Sequence, residues 1–193
     1  MWVMNAEAIY FNGGILITYG LFLMIGRKIF LRRLYDSVIV FIIVSSNPIL
    51  NLIKSGNIKY EYIFSIFILL LPMIGLIYYI TKGRYSIYNI KSKLLSDTLK
   101  EILNENKIAF EEQKNALLLK DWDDKQIRYK YFLNTVELNT RDILDLPFLT
   151  SMLSQLKSRI KNNKTKVFPV SGVLFILLGL TYMIILLLIT DSI

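Results

Sequence analysis

Four long stretches of this 193-residue chain carry no charged side chain, and they constrain its fold more than any other feature. They run from about residue 8 to 26, 37 to 53, 62 to 80 and 168 to 189. A helix needs roughly 20 apolar residues to cross the hydrocarbon core of a bilayer. Each stretch therefore reads as a membrane span. The expected fold class is a membrane protein, an α-helical transmembrane bundle of four spans plus a small cytoplasmic α+β domain. Residues 1–81 would hold three spans and 82–166 the domain. Residues 167–193 would hold the fourth span and a short outer tail. A hydrophobic share of 54% and a mean hydropathy of +0.46 agree with this, because a water-facing fold needs a more polar surface.

The flanking charges orient such a chain. Arg27, Lys28, Arg32 and Arg33 follow the first stretch, and Lys82, Arg84, Lys91 and Lys93 follow the third. Lys157, Arg159, Lys161, Lys164 and Lys166 precede the fourth, whereas only Lys54 and Lys59 lie between the second and third. Basic loops stay on the cytoplasmic side. The 27–34 loop and the 82–166 block are thus expected in the cytoplasm and both termini outside. The first charge is Glu7 and the bases come after the apolar run, which is the reverse of a secretory signal. Arg27, Lys28, Arg32, Arg33, Lys82, Arg84, Lys161, Lys164 and Lys166 become the expected contacts to anionic lipid headgroups, which also accounts for the net charge of +8 without nucleic acid.

Within the spans, Gly13 and Gly20 are seven residues apart, as are Gly172 and Gly179, so each pair shares a helix face. Small residues let helix backbones approach closely in lipid. These pairs predict either a contact between the first and fourth stretches or the face of a homo-oligomer. Ser45, Asn47, Pro48 and Asn51 form a polar group inside the second stretch. Pro48 removes a backbone donor, so these side chains either satisfy a kinked or broken helix or line a path. Asp36 stands at the cytoplasmic mouth, and no ionisable residue falls deep in any stretch, which argues against proton-coupled transport.

The block 82–166 has periodic apolar residues. Tyr85 to Ile90 alternates as a strand does, and Leu95, Leu99, Ile102 and Leu103 recur at helical spacing over 92–106. Further strands are predicted around Ile108–Phe110, Ala116–Leu119, Ile127–Tyr131 and Val136–Leu138, then a helix with a stripe from Leu149 to Ile160. The domain is therefore expected to be an antiparallel sheet with two helices. Alternation assigns Tyr129 and Tyr131 to the core face and Arg128 and Lys130 to the other, which disfavours an aromatic-basic nucleic-acid surface. Asp121, Asp123 and Asp124 surround Trp122 at a hairpin tip, without the glycine and distal glutamate of a calcium loop. Asn163-Lys164-Thr165 matches a glycosylation acceptor but falls on the expected cytoplasmic side.

Chemistry is hard to place. The chain has no cysteine and no histidine, so thiol nucleophiles and the commonest metal ligand and general base are absent. Phosphate-binding and hydrolase signatures are also absent. Glu111 and Glu112 are adjacent on a strand, which is no acid/base pair. No cofactor and no metal site are expected.

Met24 through Lys28, then Tyr35-Asp36 opening the second stretch, resemble the three-span YetF-type membrane proteins of Gram-positive bacteria. That resemblance implies a small α+β region on the cytoplasmic side after the third span. The closing fourth stretch departs from the pattern. With a composition suited to an AT-rich genome, the expectation is a bacterial cytoplasmic-membrane protein without catalytic activity. Its tethered domain would bind another membrane or cytoplasmic protein in an accessory, regulatory or immunity role. The alternative is a transporter or channel subunit using the polar group around Asn47, Pro48 and Asn51.

Overall fold

The computed structural model describes residues 6–25, 27–54 and 60–190. Their order is α1 (Ala6–Met24), β1 (Ile29–Arg32), α2 (Arg33–Lys54), α3 (Tyr60–Thr81), β2 (Arg84–Tyr88) and α4 (Ser92–Glu105). There follow β3 (Phe110–Gln113), β4 (Ala116–Leu119), β5 (Lys125–Phe132), β6 (Thr135–Asn139), a 3-10 turn (Arg141–Ile143), α5 (Leu149–Asn162) and α6 (Val170–Thr190). The chain forms two compact units. A helical unit comprises Met1–Phe22, Leu34–Thr81 and Gly172–Ile193, and an α+β unit comprises Leu23–Arg33 and Lys82–Ser171.

The four-span bundle is not what the chain forms. Among the described residues two helices are long and apolar enough to cross a membrane, Ala6–Met24 and Arg33–Asn51. The other apolar stretches are shorter, Leu70–Thr81 and Val170–Ile185. The third and fourth stretches do form helices, α3 and α6, of which these shorter apolar portions are parts.

Glycines set the packing of α1 on α6. A Cβ added at Gly20 would stand 2.7 Å from the Gly172 carbonyl oxygen and 2.9 Å from the Ile176 backbone nitrogen. One added at Gly179 would stand 2.8 Å from the Gly13 carbonyl oxygen. Only hydrogen fits at these positions, so two backbones touch where side chains would normally intervene.

The α+β unit holds the main core. Its sheet runs β1-β2-β6-β5-β4-β3, and every neighbouring pair is antiparallel. The sequence predicted a domain beginning at residue 82. Instead the 27–34 loop supplies an edge strand, with Phe30 opposite Ile87 and Arg32 opposite Tyr85. Ile87, Leu117, Leu119, Ile127, Val136 and Leu138 line one face of the sheet in a single core cluster with Leu95, Leu99, Ile102 and Leu103 of α4 and Met152, Leu156 and Ile160 of α5. Burying such an aliphatic side chain contributes roughly 1.5–3 kcal/mol. Tyr129 joins the core and its hydroxyl lies 3.1 Å from that of Ser96. Tyr131, expected on the same face, is exposed, as is Phe132 beyond it. The partner of Tyr131 across the ladder, Val136, is nevertheless fully buried.

Candidate functional site

Helix α2 runs through Pro48 without a break. Ser45 returns its hydroxyl to the Phe41 carbonyl of its own helix at 2.8 Å. The neighbouring Ser46 makes the contact between helices instead. Its hydroxyl donates to Asn12 Oδ1 at 2.8 Å, and Asn12 Nδ2 donates to the Ile43 carbonyl at 3.2 Å. Tyr19 donates to Asp36 at 2.5 Å, one turn after α2 begins. Polar side chains thus join α1 to α2 at two levels. A 530 Å³ cavity beside α2 is lined by Glu7, Ser45 and Ser46 among apolar residues, and Asn47, Pro48 and Asn51 do not line it.

A buried pair of asparagines organises the α+β unit. Asn89, with φ of 60°, follows β2, and Asn134 sits in the β5–β6 turn. Asn134 Nδ2 donates to Asn89 Oδ1 at 2.7 Å and to the Phe168 carbonyl at 3.1 Å. Its Oδ1 accepts from the Ser171 amide at 3.0 Å and the Ser171 hydroxyl at 2.6 Å. Asn89 Nδ2 donates to the Leu23 and Arg27 carbonyls at 2.9 and 3.0 Å. Two side chains therefore hold together the segments around Leu23–Arg27 and Phe168–Ser171 of this unit. Sequence reasoning passed over both, since no spacing marks a pair 45 residues apart.

The basic residues separate into groups. Arg33 reaches the Ser86 hydroxyl at 3.4 Å, and Arg84 faces Glu137 at 3.8 Å. Arg32 and Lys82 are exposed elsewhere. Arg27, Lys28, Lys161, Lys164 and Lys166 come together with Asn163 and Thr165 around a 300 Å³ cleft that no carboxylate lines. The cleft is built by a lock. Lys28 Nζ donates to the Asn163 carbonyl at 2.5 Å and to its Oδ1 at 2.7 Å. That same Oδ1 accepts the Thr165 amide at 2.9 Å and the Thr165 hydroxyl. Burial lowers the Lys28 pKa, because the ammonium gives up water without gaining a counter-charge.

At the hairpin tip, Asp121 accepts the Ala109 amide at 3.0 Å, and Trp122 packs on Phe148. Among the described residues no group of three or more acidic side chains is placed to hold a metal ion. Comparison with protein-family models, with curated proteins and with solved structures finds no match to the chain.

Proposed function

We propose that this is a non-catalytic protein of a bacterial cytoplasmic membrane, in which α1 and α2 insert and the α+β unit binds another protein in an accessory, regulatory or immunity role. The observation that carries the proposal is β1. It joins the two helices long enough to span and pairs with β2, so the linker and the sheet share one aqueous compartment. The bases of that linker assign the compartment to the cytoplasm. The surfaces of the helices support insertion. Only 33% of the α1 span and 11% of the α2 span is buried, with Phe11, Leu21, Val40 and Val44 exposed. A core helix of a water-soluble fold would hide these side chains. The lack of histidine and cysteine favours partner binding over chemistry.

Alkaline carbonate washing of membranes tests the anchor, and the chain should stay in the pellet. Because the chain has no cysteine, Glu112→Cys offers a single thiol in the sheet. An impermeant maleimide should label it in inside-out vesicles only. Complete extraction by carbonate, or labelling in intact cells, would overturn the arrangement. Pull-down from detergent tests the binding role, which fails if deleting residues 82–166 leaves every specific partner bound. The alternative is a path through Asn47, Pro48 and Asn51, although the cavity beside α2 among the described residues is not lined by them.

A further inference from the structure

We propose that the cleft of Arg27, Lys28, Lys161, Lys164, Thr165 and Lys166 is a binding site for a phosphate-bearing anion. Elsewhere in the α+β unit several bases meet acids. Lys100 pairs with Glu112 at 2.6 Å, Lys120 with Glu111 at 3.0 Å and Lys125 with Asp145 at 2.5 Å. Arg128 meets Asp142 at 3.3 Å, and Arg159 meets Glu101 and Glu105. In the cleft five cations converge and no carboxylate is among the lining residues, so their mutual repulsion is uncompensated there. An incoming anion relieves it.

The lock gives the site its form. Lys28 spends two of its three donors on Asn163, which holds the chain around Asn163 and Thr165 against the segment carrying Arg27. Lys161, Lys164 and Lys166 are exposed and enter no described ion pair, and Arg27 adds a guanidinium fork suited to two phosphate oxygens. A volume of 300 Å³ is at the small end for ligand sites, the scale of a phosphate or a phosphoglycerol headgroup. The shared chemistry is the phosphate. Its source is either a lipid headgroup or a free phosphate compound, and only the first rests on the membrane reading above.

Purified full-length chain in detergent separates the sources. Phosphatidylglycerol retention against phosphatidylcholine is read by native mass spectrometry, and inorganic phosphate is titrated calorimetrically. The variant K161Q/K164Q/K166Q empties the cleft of three charges, and K93Q/K114Q/K157Q removes the same charge from exposed positions elsewhere. The cleft variant should lose phosphatidylglycerol about a hundredfold at low salt, roughly fivefold per lysine, while the control triple stays within about twofold. Arg27→Gln, from the other chain segment, should weaken binding about fivefold if the triple variant folds poorly. Phosphate binding that the cleft variant loses, without preference for the lipid, supports the site and names a soluble ligand. Equal loss in both triples, or binding of neither probe, overturns it. A chain that carbonate strips from membranes would end the anchoring proposal yet leave the phosphate titration decisive.

Discussion

Asn89 and Asn134 bond side chain to side chain at 2.7 Å in a buried site, and between them they hold backbone or side-chain groups of Leu23, Arg27, Phe168 and Ser171. Removing one carboxamide strands several polar groups away from water, at about 1–3 kcal/mol for each group left without a partner. Asn134→Ala should therefore destabilise the α+β unit by roughly 3 kcal/mol, seen as a lower urea midpoint. At Asn89 the backbone adds a second effect, because φ of 60° disfavours a Cβ. Asn89→Ala should be worse than Asn89→Gly by about 1 kcal/mol. Equal stability of the two would show that conformation contributes nothing there.

Gly20 and Gly14 lie on the same helix and should respond oppositely to alanine. A Cβ at Gly20 meets backbone atoms of α6, which cannot rotate away, and overpacking of this kind costs about 1–3 kcal/mol. At Gly14 nothing stands within 4 Å, so Gly14→Ala should gain up to about 1 kcal/mol of helix propensity. Thermal denaturation in detergent of both variants checks the contrast.

Ser45 and Ser46 offer a similar contrast in α2. Ser46→Ala breaks the link to Asn12 and leaves a buried carboxamide oxygen short of a donor, at about 1 kcal/mol. Ser45→Ala removes only a bond within its own helix and should be near neutral. Denaturant titration of each variant in mixed micelles reads the difference.

The exposed pair Lys125–Asp145 predicts a pH response of known sign. The hydrogen bond from Lys125 holds the Asp145 carboxyl below its usual range. A lowered folded pKa contributes stability above the unfolded value and loses it as pH falls through the folded one. Urea midpoints of the wild type and Lys125→Gln should therefore separate above about pH 4 and converge below it. The separation should be small, since Asp145 is solvated.

Some of this was legible in the sequence and some was not, for physical reasons. Helix α4 announces itself through Leu95, Leu99, Ile102 and Leu103, all fully buried, because an amphipathic helix writes its buried face into its own spacing. Strand β1 does not. Ile29, Phe30 and Leu31 are too few for a periodic signal, and the bases on either side suggest a loop. At Tyr131 alternation does not foretell the exposure, because period-2 spacing says nothing of how far cover extends over a face. The cleft shows the limit most plainly. Arg27 and Lys166 were singled out for charge alone, and only the fold reveals that they belong together while Arg32 and Lys82 do not.

Strand β1 also imposes a schedule. It leaves the ribosome before α2 and α3, yet its partner β2 follows them both. Until Arg84–Tyr88 emerges, Ile29–Arg32 has no strand to pair with, and an unpaired edge invites the wrong neighbour. Closing the sheet at that edge therefore has to wait until everything from Arg33 to Thr81 has been synthesised.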